Sequence, residues 1–184
     1  MNLSILPKNL PKPLDDGASK HLLGKILPDI SLPNQDNRTL SLNRKDTFRV
    51  VIYCYPMTGN PRKPLPSNWN NIPGARGCTP QNISFRDNYE KLMKNNAIPM
   101  GLSTQSVVDI KEMVVRLKIP YDIISDSELI FSKLLNLPTF SIDKQHYIKR
   151  LTIIIKDSII NKVFYPVFPS DTHIFEVINW LKEN

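Results

Sequence analysis

Phe48-Arg49-Val50-Val51-Ile52-Tyr53-Cys54-Tyr55 constrains this chain more than any other segment, because β-branched and aromatic residues fill it almost without polar alternation. A strand with one wet face alternates apolar and polar residues, whereas a continuous apolar run this short predicts a strand buried on both faces at the centre of a sheet. Pro56 closes the run. A sheet covered on both sides needs further elements to cover it, and the sequence supplies them in alternation. Ala97 to Leu102 predicts a strand, Val107 to Leu117 a helix with Ile110, Val114 and Leu117 spaced for burial, Tyr121 to Ile124 a strand, and Glu128 to Leu135 a short helix. Leu151 to Ile155 and Ile159 to Tyr165 flank the turn Lys156-Asp157-Ser158 as an antiparallel hairpin. Ser170-Asp171 reads as the cap of a last helix ending in Trp180-Leu181. This order predicts an α/β fold, a mixed central sheet with helices on both faces.

A length of 184 residues suits one domain. Residues 1–24 are rich in Pro and Lys, lack periodicity and read as an irregular N-terminal arm, which leaves 25–184 as the folded domain. Within that domain, Ile26 to Leu32 and Thr39 to Leu42 flank a polar turn cluster and predict an irregular hairpin, kept peripheral by Pro28 and Pro33. The apolar start from Met1 to Leu6 is interrupted by Pro7, Pro11 and Pro13, and no apolar stretch approaches the roughly 20 residues of a membrane span, so the expectation is a cytoplasmic protein with no membrane partner. The formal charge of +7 is scattered, with never more than two basic residues adjacent, which describes a solvated basic surface and argues against nucleic acid.

The chain has two cysteines, Cys54 and Cys78, too few for a disulfide scaffold or a four-thiolate zinc site. His21, His146 and His173 have no partners at metal-ligand spacing, so neither a metal nor another cofactor is expected. Attention therefore falls on the thiols. A long Pro- and Asn-rich loop, Met57 to Ile72, delivers the chain to Gly74-Ala75-Arg76-Gly77-Cys78, and Thr79-Pro80 then reads as a helix start, with Thr79 as N-cap and Pro80 at the first helical position. Phe85, Tyr89, Leu92 and Met93 continue that helix along one face. A thiol reacts as its thiolate, and a helix N-terminus favours an anion. Arg76 and Arg86 lie near Cys78 in sequence, and Arg150 is placed to reach it across the sheet. An inert buried cysteine is the bland alternative, but the glycines before Cys78 and Thr-Pro after it describe a turn into a helix. Cys54, inside the most apolar strand, reads as a small hydrophobe.

Tyr53-Cys54-Tyr55-Pro56, Gly77-Cys78-Thr79-Pro80 and Phe85-Arg86-Asp87 resemble the active-site region of peroxiredoxins, in particular the bacterioferritin-comigratory or Q-type branch. The resemblance continues through Gly101-Leu102-Ser103-Thr104-Gln105, Ile124-Ser125-Asp126 and Lys149-Arg150-Leu151-Thr152, covering most of the chain from about residue 25 onward. It implies a thioredoxin-like fold, with Cys78 as peroxidatic cysteine at the head of a helix and Arg150 stabilising its thiolate. It also implies a thiol peroxidase that reduces hydrogen peroxide or organic hydroperoxides through a cysteine sulfenic acid.

The chain departs from that pattern twice. Ala75 stands where the family has Thr or Ser, with Thr79 and Thr58 as hydroxyls that could take its place, and Ile83 stands where many members of the branch carry a resolving cysteine. The expectation is therefore a one-cysteine cycle regenerated by an external thiol such as thioredoxin, glutaredoxin or glutathione, in a monomer or homodimer; resolution by Cys54 is the lesser reading. A disulfide reductase would need Cys-x-x-Cys, which neither cysteine offers. The two departures keep open a non-catalytic redox sensor or interaction protein on the same scaffold.

Overall fold

In a computed structural model, which describes residues 3–43 and 48–184, the apolar run becomes the middle strand of a five-stranded sheet. In chain order the elements are β1 (Ser31–Pro33), β2 (Thr39–Ser41), β3 (Arg49–Cys54), α1 (Cys78–Asp87), α2 (Tyr89–Lys94), β4 (Ala97–Ser103) and α3 (Val107–Leu117). They continue with β5 (Ile123–Ser125), α4 (Ile130–Leu135), β6 (Thr139–Ile142), β7 (Gln145–Ile148), β8 (Leu151–Lys156), β9 (Ile159–Phe164) and α5 (His173–Glu183). The sheet order is β5-β4-β3-β8-β9; β3 runs parallel to β4 and antiparallel to β8.

The side-chain alternation of β3 sorts the core into two layers. Val50, Ile52 and Cys54 face a cluster closed by Phe131 and Leu135 of α4, by Leu32 of β1 and by Leu22, Leu27 and Ile30. Val51, Tyr53 and Tyr55 face a cluster built from Phe85 of α1, Leu92 of α2, Ile110 and Met113 of α3, and Ile174, Val177 and Ile178 of α5. Helices thus stand on both faces, four on one and α4 with the β1–β2 hairpin on the other. Burial of each such aliphatic side chain stabilises the fold by roughly 1.5–3 kcal/mol.

Both edges are managed locally. Gly24 N–H donates to the Ile160 carbonyl at 2.8 Å and Ile160 N–H to the Lys25 carbonyl at 3.0 Å, so the chain leaving the N-terminal segment covers the outer edge of β9. At the other edge Asn34 bridges Ile124 of β5. Residues 3–24 run as turns and bends, while Met1 and Asn2 of the expected arm lie outside the described residues.

Local departures from the expected elements have identifiable causes. The helix expected to continue through Tyr89 breaks at Asn88, whose backbone leaves helical geometry and whose side-chain amide donates to the Ser84 carbonyl at 2.9 Å. Helix α4 begins only at Ile130 because Leu129 is left-handed and the Asp126 carboxylate accepts the N–H groups of Phe131 and Ser132, each at 2.9 Å. Val114 is half-buried, and Met113 takes the core position beside Ile110 and Leu117. A third hairpin, β6–β7, turns at Asp143 and Lys144, both at positive φ, the same two-residue geometry as Asp157-Ser158 between β8 and β9.

Gly101 of β4 sits where a methyl group would lie 2.6 Å from Ile123 Cδ1 and 2.9 Å from the Tyr53 ring and hydroxyl. Gly101→Ala therefore overpacks the layer between β4 and α1, and a loss of about 1–3 kcal/mol is expected in urea denaturation. An unchanged midpoint would show that Tyr53 and Ile123 can give way freely.

Candidate active site

Helix α1 starts earlier than the sequence suggests. Gly77, not Thr79, is its N-cap, and Cys78 is its first helical residue, with Pro80 inside the first turn where the missing N–H has no helical partner to lose. The cap depends on glycine: Gly77 has φ 106°, and a Cβ there would lie 2.2 Å from Ser170 Oγ. Ser170, expected to cap α5, instead donates its hydroxyl to the Gly77 carbonyl at 2.9 Å. Thr172 takes the N-cap position of α5 without a side-chain bond.

Arg150, the residue before β8, is brought to the same place by the sheet register. Its Nη2 donates to Cys78 Sγ at 3.1 Å and to the carbonyls of Gly74 at 3.1 Å, Ala75 at 3.4 Å and Arg76 at 3.2 Å. Its Nη1 donates to Gln81 Oε1. Both Cys78 and Arg150 are 3% exposed. Among the described residues no carboxylate pairs with this guanidinium, so its buried charge is compensated by carbonyl dipoles, an amide oxygen and the sulfur.

The other arginines divide. Arg76 is buried; desolvation lowers its pKa while the nearby Cys78 sulfur opposes the shift. Arg86 is turned to Asp87 and to the Leu117 carbonyl, at 2.6 Å, and anchors α1 to the end of α3. Thr58 donates to Gln105 Oε1 at 3.0 Å and is thereby tied to the loop after β4.

Beneath Cys78 lies a polar chain that sequence reading missed. Tyr53 donates to Asn82 Oδ1 at 2.8 Å and lies 3.0 Å from the Tyr121 hydroxyl, while Asn82 Nδ2 donates to the Cys78 carbonyl at 2.9 Å. Burial pushes the Tyr53 and Tyr121 phenols upward, and Tyr55 as well, where the nearby Cys78 adds to the shift. All three phenols are therefore neutral, and Tyr53 and Tyr121 act as donors in the chain. The positions of Gln81 and Asn82, three and four residues after Cys78, were the available signal, since that spacing stacks side chains on one helix face.

Cys54 is fully buried on the opposite face of the sheet from Cys78, and burial, with the charge of Asp126 adding, pushes its thiol up. His146 hydrogen-bonds locally, to Ser141 Oγ, whereas His21 reaches the distant Leu135 carbonyl, each at 2.8 Å. His173 lies 2.9 Å from Thr152 Oγ1, and burial, with Arg150 adding, lowers its pKa to about 3.

A cysteine at a helix head under a buried arginine narrows the possibilities, and comparison with known proteins decides among them. Residues 22–178 match the family described as Redoxin. The chain belongs to that family. The chloroplastic peroxiredoxin Q of Oryza sativa subsp. japonica is 26% identical over 185 residues, covering 96% of this chain and 76% of the relative. That of Arabidopsis thaliana is 27% identical over 163 residues, covering 86% and 66%. The crystal structure of peroxidoxin BcpB from Mycobacterium tuberculosis has a TM-score of 0.72 at 21% identity, covering 88% of this chain and 96% of that one. A cysteine-to-serine variant of PrxQ from Xylella fastidiosa has 0.71 at 20%, covering 88% and 95%. These likenesses establish the thioredoxin-like fold. The protein is a peroxiredoxin, a thiol peroxidase of the oxidoreductase class acting on peroxides at the expense of a thiol, and Ile83 leaves it without the branch's usual resolving cysteine. The relatives are chloroplastic by name, and among the described residues no helix is long and apolar enough to cross a membrane.

The buried neutral His173 sets a pH dependence. Below about pH 6.5 the unfolded chain protonates this histidine while the folded chain does not until about pH 3, so its contribution to stability falls as pH drops through that window. Between pH 7 and pH 4.5 the loss is about 2–3 kcal/mol. His173→Gln should remove this component, so that urea midpoints at the two pH values differ less than in the parent. An equal difference in both proteins would show that His173 is protonated in the fold.

Proposed function

We propose that Cys78 is the peroxidatic nucleophile and Arg150 the residue that supports its thiolate and receives the peroxide. The observation that carries this reading is the 3.1 Å contact between Arg150 Nη2 and Cys78 Sγ at the N-terminus of α1. A guanidinium donating there favours negative charge on sulfur and offers N–H groups to an incoming oxygen. The thiolate attacks one peroxide oxygen, the S–O bond forms as O–O breaks, and the second oxygen leaves as alkoxide or hydroxide that takes up a proton. Cys78 is oxidised to the sulfenic acid and the peroxide is reduced to an alcohol or water. Arg76 Nε and Gln81 Nε2 are buried without a hydrogen bond among the described residues, and in this reading they serve charge developing on the leaving oxygen.

The regenerating cycle in this proposal uses one cysteine. An external thiol attacks the sulfenic sulfur with loss of water, and a second thiol releases Cys78 as thiol and leaves as the disulfide. Cys54 on the far face of the sheet and Ile83 in α1 both favour this route over an internal disulfide. Glutathione, glutaredoxin or thioredoxin would serve as donor to a monomer or homodimer in the cytoplasm, with residues 1–24 as the arm and 25–184 as the catalytic domain. Cell fractionation tests the compartment.

Cys78→Ser should abolish peroxide consumption, and Cys54→Ser should retain most of it. Arg150→Met should slow oxidation of Cys78 by about 10²–10³-fold, the cost of losing one transition-state donor. Arg150→Lys, which keeps the charge without the fork, should fall between. Stopped-flow oxidation of reduced protein gives the rates, and circular dichroism verifies the fold. Equal loss in both cysteine variants, or an unchanged rate in folded Arg150→Met, would overturn the assignment.

A further inference from the structure

The guanidinium that touches Cys78 also walls a cavity of about 450 Å³, within the roughly 300–1,000 Å³ range of small-molecule sites. Two groups of the sulfur site line it, Arg150 and Gly74, the latter through the carbonyl that accepts from Nη2. The remaining surface is largely apolar: Pro13 and Leu14 from the N-terminal segment, Ile72 from the end of the long loop, Phe140 of β6 and Pro166 after β9.

The polar groups of this cavity are largely spent on one another. Asp16 accepts from Lys149 Nζ at 2.6 Å and from the Tyr165 hydroxyl at 2.8 Å, and all three line the same cavity. This cluster fastens the segment carrying Leu14 across the residue adjoining Arg150. Leu14 itself is 85% exposed, so core packing does not account for its position. The matched family region begins at residue 22, so this wall comes from outside it.

We propose that this cavity is a specificity pocket for the organic body of a hydroperoxide, with Leu14 as a specificity-determining residue that favours bulky aryl or alkyl hydroperoxides over hydrogen peroxide. The inference rests on the reading of Cys78 and Arg150 given above. The hydroperoxide group is directed to Arg150, which the pocket and the sulfur share, while the apolar body lies against Pro13, Leu14, Ile72 and Phe140. Hydrogen peroxide has no apolar part, so this wall adds nothing to its binding. Discrimination of about tenfold or more is the scale that a small apolar contact supplies.

The test compares second-order rates of Cys78 oxidation by cumene hydroperoxide and by hydrogen peroxide in single turnover, so that no reductant enters. In Leu14→Asp, which places a charge on the pocket wall, the ratio of the cumene hydroperoxide rate to the hydrogen peroxide rate should fall about tenfold relative to the parent. Leu14→Phe should keep the parent ratio or raise it. A second measurement titrates the product alcohol, 2-phenyl-2-propanol, into the parent and Leu14→Asp proteins and follows amide chemical shifts. Shifts centred on residues 13–14, 72–74 and 140 that weaken in Leu14→Asp support the pocket. An unchanged rate ratio, or alcohol shifts located elsewhere or absent, overturns it. If neither peroxide oxidises Cys78, the reading of Cys78 fails, and the alcohol titration alone decides the pocket.

Discussion

Burying a guanidinium is costly unless its donors find partners, and Arg150 finds them through its two terminal nitrogens: Nη2 is shared among three successive carbonyls, Gly74 to Arg76, and Cys78 Sγ, while Nη1 donates to Gln81 Oε1. Those partners belong to the end of the long loop and to the first turn of α1, so the same contacts that satisfy the charge determine where the helix begins. The loop must bring three carbonyls to one side, and Gly77 must then turn with positive φ to start the helix at Cys78. Ser170 closes the arrangement from α5's side by donating to the Gly77 carbonyl. A carboxylate in place of the carbonyls would neutralise the arginine and leave the sulfur with less to gain from it.

The sheet explains how Arg150 arrives there. Antiparallel pairing aligns Cys54 with Leu151, so one step further places Arg150 level with Tyr55, just past the end of β3. Strand β3 sends Tyr53 and Tyr55 toward α1, and Tyr53 holds Asn82, which holds the Cys78 carbonyl. The site is thus fixed twice from the same pair of strands, once by a charge above the sulfur and once by a neutral hydrogen-bond chain beneath it.

Much of the architecture was legible because it is written in local hydrophobic pattern. The continuous run of β3, the spacing of Ile110 and Leu117 in α3, and the turn Asp157-Ser158 each declare themselves within a few residues. The candidate residues Cys78 and Arg150 were also singled out from sequence, one by its turn-to-helix setting and both by family resemblance. What escaped depends on partners far away in the chain. Whether Asn88 breaks a helix, whether Ser170 caps α5 or holds Gly77, and whether Arg86 serves the sulfur or the end of α3 are settled by tertiary hydrogen bonds that no window of sequence contains. The β6–β7 hairpin was missed for a milder reason: its strands are only four residues each and half of their residues are exposed, so each apolar signal is short.

The two cysteines show which physical variable separates a structural thiol from a candidate nucleophile. Exposure does not, since Cys54 is 0% and Cys78 only 3% accessible. Nor does membership of the core, for each sits in a buried apolar cluster. The difference lies in the polar groups at hand. Around Cys54 burial acts with the negative charge of Asp126, and both disfavour a thiolate. Around Cys78 a guanidinium N–H lies at 3.1 Å, a second buried arginine is near, and the sulfur stands at the first residue of a helix whose N–H groups have no helical partner. Excluding water strengthens attraction between opposite charges, so of the two settings only this one suits the nucleophile proposed above.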